Sequence, residues 1–237
     1  MPPLHGRAWD GRGIGQTLGM YVPTHNRERN LDVLQRAIDE VRFGTLVTVG
    51  ADGPIATHIP MFIDKATGSN GTVFGHIARA NPQWQKTDPT IRALATFVGP
   101  YAYITPSFYE TKRITGKVVP TWHYLAVQAR GPIAFFDDPK RLHDIVYRST
   151  TIMESAATHP WAVDDAPEDY VRAMLSAIVG FEIRIETLEG AWKFAQNKDA
   201  ADLQGVTSGL EQRGDREVAA LVRERGGRDG RPDPGAT

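Results

Sequence analysis

The spacing of apolar and polar positions changes along the chain, and each change predicts an element. Asn30 is placed to cap a helix whose apolar residues Leu31, Leu34, Ala37, Ile38 and Val41 recur on one face, with Gly44 at its end. A period of two then takes over. GTLVTV and PIATHIPMFI read as strands on either side of Ala51-Asp52-Gly53, and an Asp-Gly pair between such runs is a hairpin signal. Further strands are predicted over 72–77, 93–98, 122–136 and 179–186. In the last of these, Val179, Phe181, Ile183 and Ile185 alternate with Gly180, Glu182, Arg184 and Glu186, the pattern of a strand with one wet face. Helices are predicted to start at Asp138-Pro139 and near Pro167, where proline suits a first helical turn, and a final one over 216–225. About six strands, antiparallel by hairpin logic, with peripheral helices make an α+β barrel.

Without helical or strand periodicity, residues 1–19 read as a flexible arm and 227–237 as a disordered tail, leaving 20–226 as one folded domain with no internal repeat. The chain has 237 residues, 41% of them hydrophobic, enough for a sizeable core. Lys+Arg 27 against Asp+Glu 28 gives a formal charge of -1, which argues against direct DNA reading and against an anionic membrane as partner. No apolar run approaches the roughly 18 residues of a membrane span, and the expected location is cytoplasmic. Zero cysteines exclude disulfides, thiolate catalysis and cysteine-held clusters.

The candidate chemistry lies in four segments. In ATHIP, alternation puts His58 on the face opposite Ile55, Thr57 and Ile59, either as a hydrogen-bonded barrel histidine or as part of a site. In GHIARANPQW, containing His76, Arg79, Asn81 and Trp84, a strand runs into a polar turn. Arg79 and the turn amides can cradle a phosphate, although an arginine there is equally suited to a surface ion pair or a cap. The clusters YAYITPSFY and PTWHY, the second holding Trp122 and His123, offer either a wall for a flat π-system or a dimer interface; the basic loop KRITGK lies between them. In WKFAQNK, Lys193 and Gln196 can reach a flavin edge or a substrate carboxylate, with Asn197 as a turn residue. His58, His76, His123 and His143 lack the short spacing of a zinc site, which leaves no metal prediction except a single histidine as an axial haem ligand.

With MYVP and FGTLVTV, and with ATFVGPYAYITPSFY and VVPTWHYLAVQARG extending the two aromatic clusters, these segments resemble the PaiB family of FMN-binding negative transcriptional regulators. The resemblance implies an FMN-binding split β-barrel, a homodimer, and FMN at the subunit interface of a regulator or a flavin-dependent oxidoreductase. By position it implies Thr57, His58, His76, Arg79, Asn81 and Trp84 on the flavin side. Trp122 and His123 would come from the opposite subunit, with Lys193 and Gln196 at the rim, Arg79 on the phosphate, and His123 and Lys193 as the catalytic candidates. The chain departs from the family pattern at His123, where the VPTWN motif has Asn, and at Phe194-Ala195, where Leu-Ser is usual. His123 thereby adds a titratable group. A more distant resemblance to the haem-dependent piperazate synthases, which form an N–N bond from N-hydroxyornithine, implies haem b instead, with His58 or His76 as the ligand.

Overall fold

A computed structural model describes residues 19–227; the predicted arm and tail lie outside the described residues, except for Gly19 and Gly227. The strands are β1 (Arg27–Glu28), β2 (Phe43–Gly50), β3 (Gly53–Asp64), β4 (Thr72–Ala78), β5 (Ala93–Ile104), β6 (Thr121–Gly131), β7 (Ile133–Phe136), β8 (Ile178–Arg184) and β9 (Thr187–Lys193). The helices are α1 (Leu31–Val41), α2 (Gln83–Lys86), α3 (Glu110–Thr115), α4 (Pro139–Glu154), α5 (Glu168–Ser176), α6 (Ala200–Arg213) and α7 (Arg216–Arg225). The fold is α+β, and every strand pairing is antiparallel, in the order β1-β9-β6-β5-β2-β3-β4-β8-β7.

Nine strands reduce to six staves plus a short edge strand. Only Pro132 separates β6 from β7, and two residues separate β8 from β9. The ribbon β6–β7 pairs with β9–β8 along its length, from Tyr124↔Lys193 to Phe136↔Gly180. Across the bend Glu186 N donates to Arg130 O at 2.8 Å and Arg184 N to Pro132 O at 3.3 Å. Because β8 also pairs with β4, and β6 with β5, the sheet closes on itself as a barrel. Its interior is filled by Leu46, Met61, Val73, Ile77, Phe97, Val127, Phe181 and Ile183, all buried.

Asn30 caps α1 as predicted, its Oδ1 accepting from Asp32 N (2.9 Å) and Val33 N (3.2 Å). The helix stops at Val41 rather than at Gly44, because Arg42 takes a positive φ of 57° and turns the chain into β2. Gly44 serves packing instead: a Cβ there would stand 2.7 Å from Thr96 O. The segment read as a basic loop contains α3, closed by Gly116 at φ 70°.

Candidate functional site

The first group of predicted residues surrounds the turn from β4 into α2, and its hub is a residue the sequence did not single out. Gln83 is fully buried; its Nε2 donates to Thr48 Oγ1 (3.1 Å) and Ile55 O (3.2 Å), and its Oε1 accepts from Thr57 Oγ1 at 2.6 Å. Asn81 closes the ring by donating to Thr57 Oγ1 (3.0 Å) and accepting from Gln83 N (3.0 Å). Thr57 and Asn81 therefore shape the turn. Trp84 Nε1 donates to Arg79 O at 3.1 Å. Arg79 itself fastens α5 to β8, donating to Ser176 O (2.7 Å) and Ile178 O (3.1 Å) and meeting Asp137 at 3.3 Å. Of five guanidinium N–H groups, two remain for a ligand.

His58 and His76 share one face of the sheet, by the register Met61↔Gly75 and Phe62↔Phe74, but in different surroundings. His58 is exposed on the outer face, with Nδ1 2.8 Å from Thr45 Oγ1. His76 shares the face of β4 with Phe74, over which Arg148 of α4 stands at 5.8 Å, and its burial holds its pKa below the usual histidine value. No cluster of three or more His, Asp or Glu suited to a metal ion occurs among the described residues.

The second group converges at the other end of the barrel. His123 is buried, its ring edge-on to Phe194 at 6.2 Å, so the two places where the chain departs from the family pattern touch each other. Its Nδ1 has no hydrogen-bond partner among the described residues. Lys193 Nζ donates to Thr121 Oγ1 at 2.8 Å. Both residues line a cavity of about 280 Å³ together with His25, Asn26, Tyr109, Lys117, Val118, Val119, Thr121, Ala195, Asn197 and Lys198. Gln196 does not line it: Ala195 takes a φ of 63°, and the chain folds back so that the Gln196 amide accepts from Phe194 N (2.8 Å) and donates to Trp192 O.

Burial, then the charges of Lys193 and Lys198, push the His123 pKa down to about 4. In the unfolded chain the ring takes up a proton near its ordinary pKa of about 6.5, so the unfolded state binds more protons between these values. Stability is accordingly complete above pH 6.5 and falls as pH falls from there toward 4. At about 1.4 kcal/mol per pH unit the total reaches on the order of 3 kcal/mol. Denaturant midpoints of wild type and His123→Asn across this range should diverge, with the variant flatter; parallel curves would remove His123 as the cause.

Trp122 points the opposite way from His123, onto an open aromatic face. It is half exposed and packs against Tyr103 (5.7 Å) and Tyr101 (6.1 Å). Phe43 and Val98 are exposed on the same side of the sheet. His58 lies on this face as well, but the register runs His58↔Thr45↔Thr96↔Gln128, and Trp122 is six residues further along β6. Strand spacing then puts the two roughly 14 Å apart across the sheet and about 20 Å along it. One subunit does not bring the two groups together.

Residues 20–187 match the family model described as "Putative FMN-binding domain". An uncharacterized protein of Emericella nidulans is 35% identical, over 87% of this chain and 98% of its own length. The "Protease synthase and sporulation protein PAI 2" of Bacillus subtilis is 31% identical, over 81% of this chain and 89% of its own length. Among solved structures, the flavocytochrome Anf3 of Azotobacter vinelandii superposes with a TM-score of 0.52 at 8% identity, covering 75% of this chain and 74% of that one. A conserved hypothetical protein of Mycobacterium tuberculosis gives a TM-score of 0.50 at 14% identity, covering 73% and 91%. These structures share the fold.

Proposed function

This chain belongs to the family of the putative FMN-binding domain, with a PaiB-type relative and FMN as the cofactor, and from that premise we propose a homodimeric split-barrel flavin oxidoreductase with its cofactor between subunits. The observation that carries the reading is the arrangement of the two groups. His58, next to the turn, and the wall with Trp122 lie on the same exposed sheet face yet are too far apart within one chain, and a twofold axis would set one chain's turn against its partner's wall. The aromatic face of Tyr101, Tyr103 and Trp122 fits a flat ring. The two remaining donors of Arg79 suit a phosphate oxygen, with Asn81 and Trp84 holding the turn that presents them. His58, exposed beside this turn, is placed to meet the ring's polar edge; Thr57 supports from behind it, and His76 stands on the same face one strand away.

FMN, when bound, supplies hydride and single-electron transfer. The protein's part is to bind and orient it; His123, neutral at pH 7, and Lys193 line the cavity on the other side of β6 from the aromatic wall, where a substrate group can exchange a proton. A regulatory role has its support in the sporulation-linked name of the Bacillus relative. The two are separated by adding NADH or NADPH to the FMN-loaded protein. Bleaching of the flavin band with turnover on an electron acceptor supports the oxidoreductase; no reduction, with salt-sensitive promoter binding, supports the regulator. A Soret band in place of flavin bands would move the assignment to haem at His58 or His76.

Arg79→Ala is expected to weaken FMN by roughly 1.5–3 kcal/mol, about 10- to 150-fold, the usual cost of a lost charged hydrogen bond. Arg79→Lys keeps the charge but loses the fork, and should fall between. Fluorescence-quenching titrations check this alongside melting curves, since Arg79 also fastens α5 to β8. Unchanged affinity in both variants would take Arg79 off the phosphate.

A further inference from the structure

The cavity around His123 has a charge imbalance that the flavin reading leaves unexplained. Lys117, Lys193 and Lys198 line it, and no Asp or Glu does. Several cations elsewhere meet carboxylates: Arg92 pairs with Glu186, Arg130 with Glu189, Arg141 with Glu182 and Arg148 with Asp64. Among the described residues, none of the three lysines has an acidic partner within 4.0 Å. Lys193 spends one donor on Thr121, and Lys198 stands 5.0 Å from the Tyr109 ring centroid. Like charges gathered at a partly enclosed cavity are costly without a counter-ion.

A second, independent feature is His123 itself. Only 2% exposed, it lines the cavity and leaves Nδ1 without a partner, against the rule that buried polar atoms are paired. At about 280 Å³ the cavity is smaller than an ordinary cofactor cleft and suits one small molecule or one head group.

We propose that this cavity binds a small anion, a carboxylate or phosphate carried by a molecule other than the flavin, with Lys117, Lys193 and Lys198 as counter-charge and His123 completing the hydrogen bonding. In the flavin reading this is the substrate's acidic group, but the inference does not depend on that reading, because Lys117 and Lys198 play no part in it. The groups facing His123 are Lys193 at the end of β9, Lys198 beyond it, Lys117 before β6, His25 and Tyr109. An anion among them offsets the lysine charges, so its binding and protonation of His123 favour each other.

The test is calorimetric titration of the full-length, FMN-loaded protein with sodium phosphate and with sodium acetate, repeated on flavin-free and riboflavin-loaded protein. One saturable site per chain is expected in all three forms. Lys117→Met and Lys198→Met should each weaken it about tenfold while leaving FMN affinity unchanged, the size of one lost charged contact. Lys140→Met, on the exposed side of α4, is the control and should change nothing. The His123 ring resonance should titrate at higher pH with the anion bound. Two results overturn the proposal. Absence of saturable uptake in any form removes the site; uptake abolished by FMN but not by riboflavin gives the cavity to the flavin's own phosphate.

Discussion

Gly131→Ala is expected to cost roughly 3 kcal/mol or more and to lower the melting temperature by about 10 °C, the largest loss from adding a single methyl group to this chain. Gly131 ends β6 where the ribbon bends into β7 and the barrel closes. A Cβ there would overlap the Arg184 carbonyl oxygen and stand 2.9 Å from its carbon and 3.3 Å from Glu186 N. These are backbone atoms, fixed by the two hydrogen bonds that join the bend to β8, so the strand cannot retreat without opening the closure. Against a net stability of about 5–15 kcal/mol the loss is a large share of the whole. Gly116→Ala is the comparison: it meets no atom within 4 Å and carries only the backbone penalty of its positive φ, about 1 kcal/mol. Calorimetry on both variants decides; a Gly131→Ala protein melting within a degree or two of wild type would mean that the ribbon does not close the barrel.

The staves were legible because each of the six shows clear alternation or a β-rich run between turn signals over at least part of its length. Val179, Phe181, Ile183 and Ile185 are all buried, as their spacing predicts. What the sequence hid has a physical reason in each case. β9, TLEGAWK, has no alternation, since Gly190, Ala191 and Trp192 are buried together between barrel and helix. α6 contains Gly205 and Gly209, which read as breakers, yet they let the Phe108 segment lie directly on the helix: a Cβ at Gly209 would overlap the Phe108 ring. Gln83 gives no signal because its hydrogen bonds go to β2 and β3, distant in sequence.

The same distinction applies to the site. The resemblance named His123 and Lys193 as catalytic candidates but gave His123 to the opposite subunit and Lys193 to the rim; within one chain both line the same cavity. Lys117 and Lys198 were not readable as its partners: one sits in the segment after α3 and the other past β9, and only the pairing of β6 with β9 brings them to the same rim. Trp122 and His123, adjacent and grouped as one motif, serve opposite sides of a strand, as a period of two requires, but their different environments come only from the packing around each face.

Trp122→Glu is therefore expected to act on assembly and on flavin together, while leaving the fold intact. Trp122 is 51% exposed, Tyr101 61% and Tyr103 41%, and these rings form a sheet face that no other element covers among the described residues. If that face is the subunit interface, a twofold axis brings two glutamates into it, each desolvated without a partner, a loss of about 3–5 kcal/mol apiece for an uncompensated buried charge. Even one such loss weakens association roughly a hundredfold to several thousandfold, enough to give monomers at micromolar protein. Because the flavin reading takes the phosphate turn from one subunit and the aromatic wall from the other, FMN affinity should fall with the dimer. Sedimentation velocity and FMN titration on the same samples test the coupling, with Tyr170→Glu on exposed α5 as the control that should change neither. A Trp122→Glu protein that stays dimeric with normal FMN affinity would place the interface elsewhere; one that becomes monomeric yet binds FMN normally would confine the cofactor to a single chain.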